Sequence, residues 1–135
     1  MIDVDQAQRL LGELFAPWVQ ELGLTVLEVA PGEATLRLPA SPRLSREGGT
    51  VCGQAMMAAA DTAMVIAVAA QLGGFRPMTT VSLNTSFMRP VAGADLRVVA
   101  RVLKPGRTLV FGEVSLSSAA DGRLAAHATT TYALV

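Results

Sequence analysis

Apolar and polar positions alternate with a period of two along much of this chain, and twice the spacing turns helical. Residues 6–21, QAQRLLGELFAPWVQE, place Leu10, Leu11, Leu14, Phe15, Trp18 and Val19 at helical intervals. Pro17 interrupts that run or opens a second short turn. Residues 24–30 (LTVLEVA) and 33–39 (EATLRLP) alternate as strands on either side of Pro31-Gly32, a hairpin turn signal. The polar stretch 40–50, with Pro42 and Gly48-Gly49, predicts a loop. A long apolar helix follows from about Gly53 to Leu72, stopped by Gly73-Gly74. Four strand-like runs complete the chain: Met78–Phe87, Leu96–Lys104, Thr108–Ser118 and Leu124–Leu134. Arg89-Pro90 with Gly93, then Pro105-Gly106, then Asp121-Gly122 separate them. The last two connections are short, which makes those strands antiparallel neighbours.

Strands grouped on both sides of one helix predict a single α+β domain over residues 1–135, an antiparallel sheet wrapped around that helix. A helix so enclosed must be apolar all round. GQAMMAAADTAMVIAVAAQL is nearly so, but Asp61 stands in its middle with no basic residue within two turns. Burying an unpaired carboxylate is expensive, a cost a fold accepts where the group serves as base or nucleophile. The plainer alternative is a side chain reaching solvent or a neighbouring chain's backbone. Gln54 lies two turns earlier on nearly the same face. At the helix start, unpaired backbone N–H groups favour developing negative charge, and Gly53 lets a carbonyl approach them closely. Carboxylate and oxyanion site together suggest an acyl-transfer centre.

Hydrophobic residues make up 51% of the chain and charged ones only 16%, an excess that self-association would bury. Lys+Arg and Asp+Glu balance at 11 each, and no basic stripe appears, so nucleic acid is not an expected partner. Nor is a membrane: the Ala55–Ala70 run is short for a span and carries a charge. A lone cysteine and an acidic, polar N-terminus without a signal-peptide pattern point to the cytoplasm. One Cys and one His cannot assemble a metal site, and the separation of Cys52 from His127 is not diagnostic of a catalytic pair. In TTVSLNTSF (79–87), Thr79 or Thr80 either fills a half-exposed strand or holds water or substrate near Asp61. Arg89, Lys104 and Arg107 are either solvated charges or contacts for a nucleotide phosphate.

Two segments resemble a known family. GGTVCGQAMMAAADTAM is similar to the helix signature of hotdog-fold acyl-CoA thioesterases of the phenylacetate-pathway (PaaI) type, with Gly49, Val51, Gly53 and Asp61 on its positions. TTVSLNTSFMRPV (79–91) is similar to that family's strand ending in an aromatic residue and Arg-Pro, and the turn KPGR (104–107) also fits. The resemblance implies the hotdog fold, paired as a dimer or a dimer of dimers, with active sites between protomers. It implies an acyl-CoA thioester hydrolase needing no cofactor or metal. Asp61 would be general base or nucleophile, the Gly53 N–H would polarise the thioester carbonyl, and Thr80 would position water. Asp61 and Gly53 would come from opposite protomers, and Gln54 replaces a family glycine. The family's histidine is Cys52 here and its asparagine is Arg46, positions that in relatives help hold the substrate carbonyl or the water. Two alternatives remain: a hotdog protein that binds acyl-CoA or an acyl carrier without hydrolysis, and a dehydratase, which usually needs a histidine near the central helix.

Overall fold

The structure is a computed structural model describing residues 1–135. Helix α1 (Val4–Leu14) begins earlier than its apolar spacing indicates, because Asp3 and Gln6 form a capping box. The Gln6 N–H donates to Asp3 Oδ1 and the Asp3 N–H to Gln6 Oε1, each at 2.8 Å. The chain is extended at Phe15, and Pro17 starts the short α2 (Pro17–Gln20), where its missing N–H costs nothing. Strands β1 (Thr25–Ala30) and β2 (Glu33–Leu38) form a hairpin. After a single 3-10 turn and a loop come α3 (Gly53–Leu72), β3 (Met78–Phe87), β4 (Leu96–Pro105), β5 (Leu109–Ser118) and β6 (Leu124–Leu134).

All six strands form one antiparallel sheet in the order β1-β2-β4-β5-β6-β3. The chain leaves β2 near one edge and returns at the opposite edge as β3, with α3 carrying it across the sheet's inner face. Close approach is possible because α3 presents Ala59, Ala60, Ala63 and Ala67, all fully buried. Beneath it, Gly112 of β5 admits Met64: a Cβ there would lie 2.5 Å from the Met64 Cε and 3.0 Å from the Arg101 carbonyl oxygen. This is the sheet-wrapped helix that the apolar run 53–72 predicts. By length and composition α3 would suffice to cross a membrane, but most of it is buried against the sheet.

The sheet does not close around the helix. Gln54 and Met57 are exposed, and Ala58, Asp61 and Val65 are partly so. At helical spacing these five form one stripe. An all-apolar helix thus keeps a seam that its own chain leaves uncovered, bordered by β3 and by the α1–α2 segment.

Candidate active site

Asp61 is placed on that seam by α3 and fastened by two strands. Thr80 on β3 and Tyr132 on β6 are direct cross-strand partners, so their side chains share one face of the sheet, the inner one. The Thr80 hydroxyl donates to Asp61 Oδ1 at 2.9 Å, and the Tyr132 hydroxyl donates to the same oxygen. Tyr132 also lies 2.8 Å from the Asp61 carbonyl oxygen. No group of this chain engages Oδ2. A carboxylate held by two donors at one oxygen has a fixed plane, and its other oxygen is free to accept a proton.

Tyr132 is 1% exposed, and burial raises its pKa well above the ordinary value of 10.0, with the neighbouring Asp61 charge adding to the shift and Thr80 tempering it. The phenol therefore remains a donor across the ordinary pH range. Tyr132 is not among the residues that the sequence singles out, although a signal exists. It falls in the inward set Ala126, Ala128, Thr130, Tyr132 of β6. A buried phenol needs a partner, and the core helix holds one carboxylate.

A bulge decides that Thr80, not Thr79, reaches Asp61. The β3–β6 register slips between Thr80 and Ser82, leaving Val81 as the extra residue. With it, Thr80 faces inward and so do Leu83, Thr85 and Phe87, opposite Thr130, Ala128 and Ala126.

At the start of α3, the loop from Arg46 to Thr50 is closed by hydrogen bonds from Arg46 N–H to Thr50 carbonyl (2.8 Å) and Gly49 N–H to Arg46 carbonyl (2.9 Å). Gly48 and Gly49 take φ of 89° and 80°, values that favour glycine. Cys52 is the N-cap residue, and its side chain makes no capping bond. The amides of Gly53, Gln54 and Ala55 donate no hydrogen bond within the chain. Gly53 borders an open cleft of about 420 Å³ with Arg46, Met56, Phe87, Met88 and Arg89. A Cβ on Gly53 would meet the Phe87 ring at 3.3 Å.

Arg46, Gly53 and Arg89 thus come together in one cleft, without an ion pair to either arginine. Cys52 and Gln54 open instead into a cleft with Trp18 and Arg43. Lys104 and Arg107 sit at the β4–β5 turn, at the other end of the sheet: Pro105 pairs with Val110, and Val110 with Tyr132. His127 is not beside Cys52. It contacts Glu113 through Nε2 at 2.9 Å, on the outer face between the buried Ala126 and Ala128. Gly53 and Asp61 share a helix but stand about 12 Å apart along its axis. One carbonyl cannot meet both in a single chain, so the shared-face centre suggested by the sequence is not complete within one chain.

Comparison with known proteins agrees with this fold. Residues 48–126 match the thioesterase superfamily, a span running from the loop before α3 into β6. Human acyl-coenzyme A thioesterase 13 is 29% identical over 109 residues, covering 80% of this chain and 77% of that protein. Among solved structures, zebrafish thioesterase superfamily member 2 superposes with a TM-score of 0.89 at 26% identity, covering 100% of both chains. A mutant of the phenylacetic acid degradation protein PaaI from Thermus thermophilus gives 0.78 at 29% identity over 89% of this chain and 100% of that one. The sheet-wrapped α3, the carboxylate on its seam and a match over more than half the sequence lead to one assignment: the chain belongs to the thioesterase superfamily, has its hotdog fold, and is at family level a thioester hydrolase.

Proposed function

We propose that this protein hydrolyses acyl-CoA thioesters, with Asp61 as general base and two protomers completing each site. The observation that carries the reading is the Asp61 carboxylate, anchored at Oδ1 by Thr80 and Tyr132 with Oδ2 free on an uncovered seam. Water held at Oδ2 gives its proton to the carboxylate as its oxygen bonds to the thioester carbon. The carbonyl oxygen, now negative, is stabilised by the Gly53 N–H at the positive end of α3. Collapse of that intermediate breaks the C–S bond, and the departing CoA thiolate takes up the proton.

The pairing follows from the sheet edges. Strand β3 is ten residues long, lies at an edge, has neither charge nor proline, and exposes Val81 and Phe87. Such an edge is a template for another strand. The other edge, β1, is six residues long, carries Glu28 and is packed by α1. Antiparallel pairing of two β3 strands sets the Phe87 end of one copy beside the Met78 end of the other. Gly53, next to Phe87, then approaches the partner copy's carboxylate. Arg46 and Arg89 at that cleft, rather than Lys104 and Arg107, are the cations we assign to the CoA phosphates.

Free-thiol release from a panel of acyl-CoA esters tests the reading. Wild type should turn over and Asp61→Asn should lose at least about a hundredfold, the usual worth of a general base. An Asp61→Asn protein as fast as wild type sinks the mechanism. Binding of acyl-CoA with no turnover would support the non-catalytic alternative, which Cys52 and Arg46 in place of the family's His and Asn favour.

A further inference from the structure

Gly12 has no local reason to be glycine. It lies inside α1 with no left-handed backbone angle, where glycine weakens a helix relative to alanine. A Cβ built on it meets nothing within 4 Å. What the missing side chain leaves open is a cleft of about 160 Å³ under α1 and α2, walled by Leu11, Gly12, Phe15, Val19 and Leu24, with Thr62 of α3.

The polar groups along this cleft already have partners. The Gln8 Nε2 donates to the Leu24 carbonyl at 3.2 Å, and its Oε1 accepts from the Val26 N–H at 2.7 Å. The Gln20 Nε2 donates to the Phe15 carbonyl at 2.7 Å, and the Thr62 hydroxyl to the Ala58 carbonyl at 2.8 Å. With these donors committed and the remaining wall apolar, the cleft suits an apolar guest.

Thr62 also ties the cleft to the seam. It follows Asp61 directly, and successive helical residues point about 100° apart, so Asp61 opens on the seam while Thr62 turns under α1. Ala58 neighbours both at helical spacing, is partly exposed, and raises only a methyl group between them. Val65 flanks the same pair from the C-terminal side, so the passage from carboxylate to cleft runs over the Ala58 methyl.

We infer that this cleft receives the far end of the acyl group whose thioester is cleaved at Asp61, and that Gly12 sets its depth. The inference rests on the acyl-CoA reading above and adds the part of the chain that measures the acyl group. A cavity near 150 Å³ admits benzene, so the seated end is an apolar group of roughly six carbons.

The test compares wild type, Gly12→Leu and Val19→Ala on acetyl-, hexanoyl- and palmitoyl-CoA. Filling the cleft with leucine should lower kcat/KM for hexanoyl-CoA by roughly fiftyfold, at about fourfold per methylene kept from burial. Acetyl-CoA, too short to reach, should change less than about twofold. Val19→Ala deepens the cleft and should move preference toward the longer chain. An unchanged hexanoyl-to-acetyl ratio in a folded Gly12→Leu protein overturns the assignment and leaves hydrolysis itself untouched. If leucine prevents folding, an unchanged profile in Val19→Ala overturns it equally. Wild type inactive on every ester would sink the hydrolase reading instead. Calorimetric titration of Asp61→Asn with hexanoyl-CoA then decides the cleft alone: equal affinity with and without Gly12→Leu rejects it, and a loss of similar size sustains it.

Discussion

Tyr132 makes an alkaline titration unusually direct, because it is the only tyrosine in the chain. In the folded protein its hydroxyl is buried beside Asp61, and burial and that charge hold its pKa above the ordinary 10.0. In the unfolded chain it titrates near that ordinary value. Below about pH 10 both states keep the proton, and the native hydrogen bond contributes in full. Above it the unfolded state alone releases a proton, so stability falls by about 1.4 kcal/mol per pH unit. The loss attributable to Tyr132 is about 1.4 kcal/mol at pH 11 and about 2 kcal/mol at pH 11.5. Near 3 °C per kcal/mol for a chain of this size, Tm should drop about 6 °C more in wild type than in Tyr132→Phe between about pH 9 and about pH 11.5. Tyr132→Phe removes the titrating group at nearly constant volume, so subtraction cancels lysine and other shared titrations. The second readout is tyrosinate absorbance, which should be absent from native protein at about pH 11 and appear on unfolding. Tyrosinate forming in the folded protein near pH 10, or identical alkaline Tm profiles for the two proteins, would refute the buried contact.

Four further outcomes follow from the same geometry. Thr80→Ala should slow hydrolysis about tenfold, the worth of one hydrogen bond of about 1.4 kcal/mol, while leaving Tm nearly unchanged because the residue is exposed. Val81→Lys puts a charge on the uncovered β3 edge, so sedimentation should show a smaller species and thiol release should fall with it. Gly49→Ala forces a Cβ into φ of 80°, and chemical denaturation should show a loss of about 1–2 kcal/mol. In a single turnover in heavy-oxygen water, the first acid released should carry the label if Asp61 is a base; unlabelled acid would make it a nucleophile.

What sequence could show was what short-range physics decides. Gly53 and Gly73 bracket α3 because one allows close approach at its start and the other takes φ of 81° at its end. Alternation placed the strands within a residue or two. Asp61 stood out by contrast with its neighbours alone. Hidden were the consequences of pairing between distant segments. Val81 is an ordinary strand residue until β6 lies beside it and the register slips, and only then does Thr80 rather than Thr79 face the helix. Tyr132 is far from Asp61 along the chain, and no local pattern joins them. The arginines were likewise ambiguous until the loop after the 3-10 turn Pro42–Leu44 folded Arg46 toward Arg89. The helix start at Asp3 was readable from Asp-x-x-Gln but was masked by the stronger apolar spacing that follows.

The two rims of the sheet differ in what they permit. One is short, carries a charge and is packed by a helix; the other is long, uncharged and bare. A body with two bare rims could add copies without end and grow into a fibre. With a single bare rim, the first antiparallel neighbour uses it up on both sides, and strand-by-strand growth terminates there. The glutamate on β1 and the helix packed against it would therefore act as a stop signal for polymerisation.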